Sequence, residues 1–125
     1  APFVAEQAYL AALLAKDKKL QDRALEYING IEKPEGETAP MIRYLQGKTT
    51  REAALDEAKD SRRIQLNLNW IYGVQEEAAG KSAEALEYYK KAAENEMSER
   101  IFGGWFVKQR VKAAADNTPS ASSDK

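Results

Sequence analysis

Residues 72–96 read YGVQEEAAGKSAEALEYYKKAAENE, and the reading of this stretch decides the fold. At its centre stands Gly80-Lys81-Ser82. A matching Gly47-Lys48-Thr49 lies in LQGKTTREAAL (Leu45–Leu55). Gly-Lys-Ser/Thr ends a phosphate-binding loop when another glycine stands five residues earlier, between a strand and a helix. Those positions hold Ile42 and Gln75. Without that glycine the backbone N–H groups cannot wrap a phosphate. Both stretches are therefore read as helix ends: a glycine that closes one helix, a short turn, and a hydroxyl that caps the next. Ser82 is one such cap, and Thr49 with Glu52 has capping-box spacing. Residues 72–96 then form a helical hairpin. In its second helix Ala85, Leu86, Tyr89, Ala92 and Ala93 share one face, and Glu84, Glu87, Lys90, Lys91 and Glu94 take the other.

Outward from this hairpin the good helix formers Ala, Leu, Glu, Lys, Gln and Arg dominate. The pattern predicts an all-α fold of seven helices, at about 3–16, 20–32, 40–46, 50–60, 62–79, 83–95 and 98–115. KPEGETAP (Lys33–Pro40) is the clearest loop. In the fifth helix Ile64, Leu66, Leu68, Trp70, Ile71, Tyr72 and Val74 leave only a narrow polar strip, mainly Gln65, Asn69 and Glu76. Such a helix belongs in the middle of a stack. The expected organisation is one domain over 1–115, with hairpins at 3–32, 40–60 and 62–95 and a capping helix at 98–115. DNTPSASSDK (116–125) is polar and rich in Ser, and is expected to be a disordered tail.

With 125 residues, 43% hydrophobic and 31% charged, the chain can build one core. A net charge of −1 gives no reason to expect nucleic acid or an anionic membrane as partner. No apolar run approaches the roughly 20 residues that span a bilayer. Cysteine and histidine are absent, which removes thiol nucleophiles, disulfides, Cys/His zinc sites and the commonest general base. Glu76 and Glu77 are adjacent on one helix and point about 100° apart, so they are not a facing acid–base pair. No Asp/Glu cluster has metal-ligand spacing. The expectation is a non-enzyme without cofactor or metal. The rival is an enzyme in which a buried carboxyl such as Glu76 does acid–base work. Otherwise Glu76 faces solvent or pairs with an arginine such as Arg62 or Arg63.

The chain repeats itself at an offset of 61. DRALEYINGIE (Asp22–Glu32) lies on AEALEYYKKAA (Ala83–Ala93), Tyr9 meets Trp70 and Ala12 meets Gly73. At an offset of 31, Ala54 and Leu55 meet Ala85 and Leu86. A hairpin cannot bury its apolar face alone, but a stack of hairpins can.

These residues resemble a tetratricopeptide repeat (TPR). Gly73 stands at the small position of the first helix, Gly80 ends it, and Ala85, Tyr89 and Ala92 fall on the small, aromatic and small positions of the second. Glu76 stands where a Tyr is usual, and Met97 replaces the closing Pro. The longer layout, from APMIRYLQGKTTREAALDEAKD to a final aromatic helix, is similar to the C-terminal part of NlpI-type periplasmic TPR lipoproteins. The resemblance implies a right-handed superhelix of antiparallel hairpins and an adaptor that binds proteins or peptides in the bacterial cell envelope. The cytoplasm stays open as a location. A self-associating module, a possible homodimer, or part of a longer array is the alternative. TPR stacks bind peptides on the first helix of each pair. That implies Asn67, Trp70, Val74 and Glu77, with Glu6, Tyr9 and Leu13 as counterparts in the first hairpin. For Trp70 and Leu13 the competing reading is plain core.

RIFGGWFVKQR (Arg100–Arg110) is the most unusual stretch. Two glycines inside a helix cost about 1 kcal/mol each relative to alanine. Either they allow close packing while Phe102, Trp105 and Phe106 cover the open end of the stack, or these aromatics anchor a partner.

Overall fold

The computed structural model describes residues 2–117, and every regular element among them is helical. The helices are α1 (Pro2–Ala15), α2 (Lys18–Asn29), α3 (Ala39–Leu45), α4 (Arg51–Glu57), α5 (Arg62–Ala78), α6 (Ser82–Ala93) and α7 (Phe102–Asn117). A 3-10 turn, Glu96–Glu99, precedes α7.

Both Gly-Lys stretches are helix ends. Gly47 and Gly80 have φ of 77° and 81°, the left-handed region. At the first, Lys48 N–H donates to Arg43 O and Gly47 N–H to Tyr44 O; at the second, Lys81 N–H donates to Glu76 O and Gly80 N–H to Glu77 O. This nested pair of bonds satisfies the last carbonyls of a helix. The same pair ends α1, from Asp17 N–H to Ala12 O and from Lys16 N–H to Leu13 O. There the left-handed residue is Lys16, at φ 57°. Lys16→Gly is expected to stabilise the protein by about 0.5–1 kcal/mol, because the Cβ strain outweighs the added chain entropy. A thermal melt with an unchanged or lower midpoint would refute this.

The caps differ in detail from the sequence expectation. Thr50, not Thr49, caps α4 by accepting from Ala53 N–H at 3.1 Å. Ser82 is the first residue of α6, and Lys81 before it makes no side-chain cap. Asp17 and Ser61 cap α2 and α5. Asn95 accepts from Met97 N–H at 2.8 Å and starts the 3-10 turn, so the last helix begins at Phe102 rather than near Ser98. Asp116 and Asn117 belong to α7; the rest of the expected tail lies outside the described residues.

α5 is the centre, as its all-round apolar pattern requires. Residues 66–74 are buried without a break. It packs against α1, α3, α4, α6 and α7, and most closely against α6. That closeness needs Gly73: a Cβ there would stand 2.4 Å from the Tyr89 ring. α3 and α4 have seven residues each, about 10 Å of helix, too short to separate α1 from α5. α1 therefore lies directly on α5. Gln46 ties α3 to α2, its amide donating to Ile28 O at 2.9 Å and Ile31 O at 2.8 Å.

Candidate protein-binding surface

α7 closes one side of α5 and divides its aromatics between two tasks. Val107 is fully buried, and Phe106 packs on Trp70 and Tyr89 with ring centroids 5.6 and 5.9 Å apart. Gly103 and Gly104 permit this approach. A Cβ on Gly103 would meet the Trp70 ring at 2.6 Å, and one on Gly104 would meet the Ser98 carbonyl oxygen at 2.0 Å. Phe102 and Trp105 do something else. They remain 54% and 57% exposed and stack on one another at 5.6 Å with an interplanar angle of 29°. Phe102 also sets its edge against Trp70. So Phe106 covers Trp70 and Tyr89, Phe102 half covers Trp70, and Trp105 faces solvent.

Beside this pair is a crevice of ≈ 230 Å³ lined by Phe3, Gln7, Arg63, Asn67, Ile101, Phe102 and Gly103. Its walls come from the start of α1, α5 and α7. The Arg63 guanidinium lies 4.9 Å over the Phe3 ring and donates to Glu37 at 2.5 Å. Hydrogen bonds from Ser61 and Arg63 hold the Glu37 carboxyl below its ordinary value. The Asn67 amide donates to Arg63 O at 3.0 Å. The crevice thus offers an aromatic floor with fixed polar groups at its rim.

The proposed contact residues separate accordingly. Val74 is fully buried and Trp70 only 3% exposed, so both belong to the core. The same holds for Glu6, which is fully buried, and for Tyr9; Leu13 is half-buried. Asn67 reaches the crevice. Glu77 lies elsewhere, in a groove of ≈ 500 Å³ between α6 and α7. There Arg110 donates to it twice, at 3.0 and 3.1 Å, and the Tyr89 hydroxyl donates at 2.7 Å. Burial works against ionisation, yet the Arg110 and Tyr89 bonds hold the Glu77 carboxyl below its usual value.

Glu76 pairs with neither Arg62 nor Arg63. Arg51, the first residue of α4, reaches it at 2.7 Å. Arg51 also donates to Tyr44 Oη at 3.0 Å and Gln75 Oε1 at 3.1 Å, and its guanidinium lies over the rings of Tyr72 and Tyr88 at 5.1 and 5.4 Å. Gln75 in turn donates to Tyr9 Oη at 3.3 Å. One arginine therefore joins α1, α3, α4, α5 and α6. Arg62 pairs with Glu96 instead. Among the described residues no three acidic side chains gather as a metal ion would require. Among the described residues no helix is long and apolar enough to cross a membrane.

Phe3, Gln7 and Arg63 were not legible as site residues. Nothing in the spacing of α1 says which side faces inward, since apolar residues surround it. No protein-family model matches this chain, nor does any curated protein or any solved structure.

Proposed function

We propose that this protein is a TPR-type scaffold that binds other proteins or peptides in the bacterial cell envelope, without catalysis of its own. The observation that carries the reading is the exposed, mutually stacked Phe102–Trp105 pair beside the Phe3–Arg63–Asn67 crevice. Large aromatics with an arginine nearby are what interface cores are made of. Buried Trp70 holds Phe102 from below, so little ordering remains to be done on binding. The repeat type is supported by Gly73 against Tyr89, by buried Ala85 and Ala92, and by left-handed Gly80. Glu76, at a position usually aromatic, is accounted for by its pairing with Arg51. The envelope location rests on the resemblance to NlpI-type proteins alone.

Trp105→Ala tests the reading. Being more than half exposed, Trp105 contributes little to folding, so the melting midpoint should move by no more than about 2 °C. The wild type should capture a specific protein from the envelope fraction of its own organism, and the variant should lose it. A variant that unfolds would make Trp105 a structural residue, and equal capture by both proteins would remove the surface from the mechanism.

A further inference from the structure

α1 has a second apolar face that nothing in the described fold covers. Its inner side buries Ala5, Glu6, Tyr9, Leu10 and Ala12. Its outer side presents Val4, Ala8, Ala11 and Ala15, with Val4 67% exposed. The one charged residue between Pro2 and Ala15 is Glu6, and it points inward. A helix apolar around its circumference is the pattern of a helix covered on both sides. Facing it, α2 sets Leu20, Ala24 and Tyr27 along its near edge, with Leu20 47% and Tyr27 51% exposed. The two helices enclose a groove of ≈ 630 Å³ with an alanine floor and larger side chains toward its ends. Small floor residues let another backbone come close, and an amphipathic helix fits such a groove through anchors at i, i+4 and i+7. No residue lines both this groove and the crevice at Phe102.

The charges around the groove select among occupants. Arg23 lines it, Lys19 stands one turn earlier on α2, and Lys16 sits in the turn between the helices. None of the three has an ion-pair partner among the described residues; Lys18 takes Asp22. Glu26 is the one acid on that edge. A second copy of this chain fits poorly. Its α1 would bring no acid to Arg23, and its α2 would set one acid, Glu26, against two like charges, Arg23 and Lys19.

We propose that the α1–α2 groove binds an amphipathic α-helix of a partner protein, apolar on the inserted face and carrying an acidic side chain that pairs with Arg23. This second site is independent of the Phe102–Trp105 surface. The test is selection on the whole chain from a displayed library of amphipathic helical peptides of about four turns, with apolar positions at i, i+4, i+7 and i+11 and free flanking positions. Enriched peptides should carry Asp or Glu on one flank. A lysine on the groove floor, Ala11→Lys, should weaken them by about tenfold or more through clash and unpaired charge. Arg23→Glu should weaken them about fivefold and recover a peptide whose acid is changed to Lys. Trp105→Ala should leave them unchanged, which separates this site from the first. Circular dichroism melts confirm that both groove variants fold, since each change is at an exposed position. The proposal is overturned if no peptide is enriched or if Ala11→Lys binds as well as wild type. It is equally overturned if sedimentation shows a dimer that Ala11→Lys dissociates, which makes a second copy the occupant.

Discussion

Replacing Glu6 with methionine will stabilise the protein, and the gain will grow as the pH is raised. Glu6 has no exposed surface, and neither carboxyl oxygen has a hydrogen-bond partner. Burial pushes its pKa from the usual 4.5 up to about 8. Between those values the folded protein keeps a proton that the unfolded chain has released. Unfolding then releases a proton, so stability falls as pH rises through the window and levels off above about 8. At about 1.4 kcal/mol per unit, the loss is on the order of 5 kcal/mol. Methionine has similar bulk and no charge. It should gain about 1–2 kcal/mol at pH 5, where only an unpartnered neutral acid is removed, and several at pH 9. Glu37 and Glu77, held below the ordinary carboxylate value, act in the opposite sense and only in acid. The raised tyrosines Tyr72 and Tyr89 titrate above the window. Urea unfolding of both proteins at pH 5, 7 and 9 measures the difference. Parallel pH profiles would show that Glu6 is not the group responsible.

Gly104→Ala should be the most damaging small substitution. On an open helix this change adds about 0.5–1 kcal/mol of stability. Here the new Cβ would stand 2.0 Å from Ser98 O and 2.4 Å from Ser98 Cα, both backbone atoms. The start of α7 would have to lift off the 3-10 turn, taking with it the Gly103–Trp70 contact and buried Val107. A loss on the order of 3 kcal/mol and a drop of about 10 °C or more in the melting midpoint are expected. A midpoint at or above the wild-type value would show that α7 adjusts freely. Gly73 is the milder case. There the obstructing atoms belong to the Tyr89 side chain, which can swing by giving up its bond to Glu77.

Local chemistry was the legible part of the fold. Gly47 and Gly80 ended helices as their spacing implied, and the apolar wrapping of α5 placed it at the centre. The stripe Ala85, Tyr89 and Ala92 was the buried face of α6. A left-handed Lys16 has no such signature, because any residue but glycine there looks like ordinary sequence. The partner of Glu76 was out of reach for another reason. Arg51 lies 25 positions away and arrives only because α4 is short and turns its first residue toward α5. The aromatic stretch was legible as unusual but not as divided. Phe106 and Trp105 are adjacent, so helical geometry alone sends them to different sides, and only the position of Trp70 says which side is inner. Glu6 misled for the opposite reason. Its charge argues for solvent, and the uniform apolarity of α1 offers no period to contradict it.

The direct seating of α1 on α5 changes how the molecule can come apart. Hairpins that touch only their neighbours can fray singly from an end. Here the Gln75–Tyr9 bond joins residues 66 positions apart, and Arg63 closes a similar span over Phe3. Stripping away the first hairpin uncovers the most buried helix in the chain, so no hairpin melts alone. The first and middle parts of the chain stand or fall together, and closing that long loop makes their meeting a late event in folding.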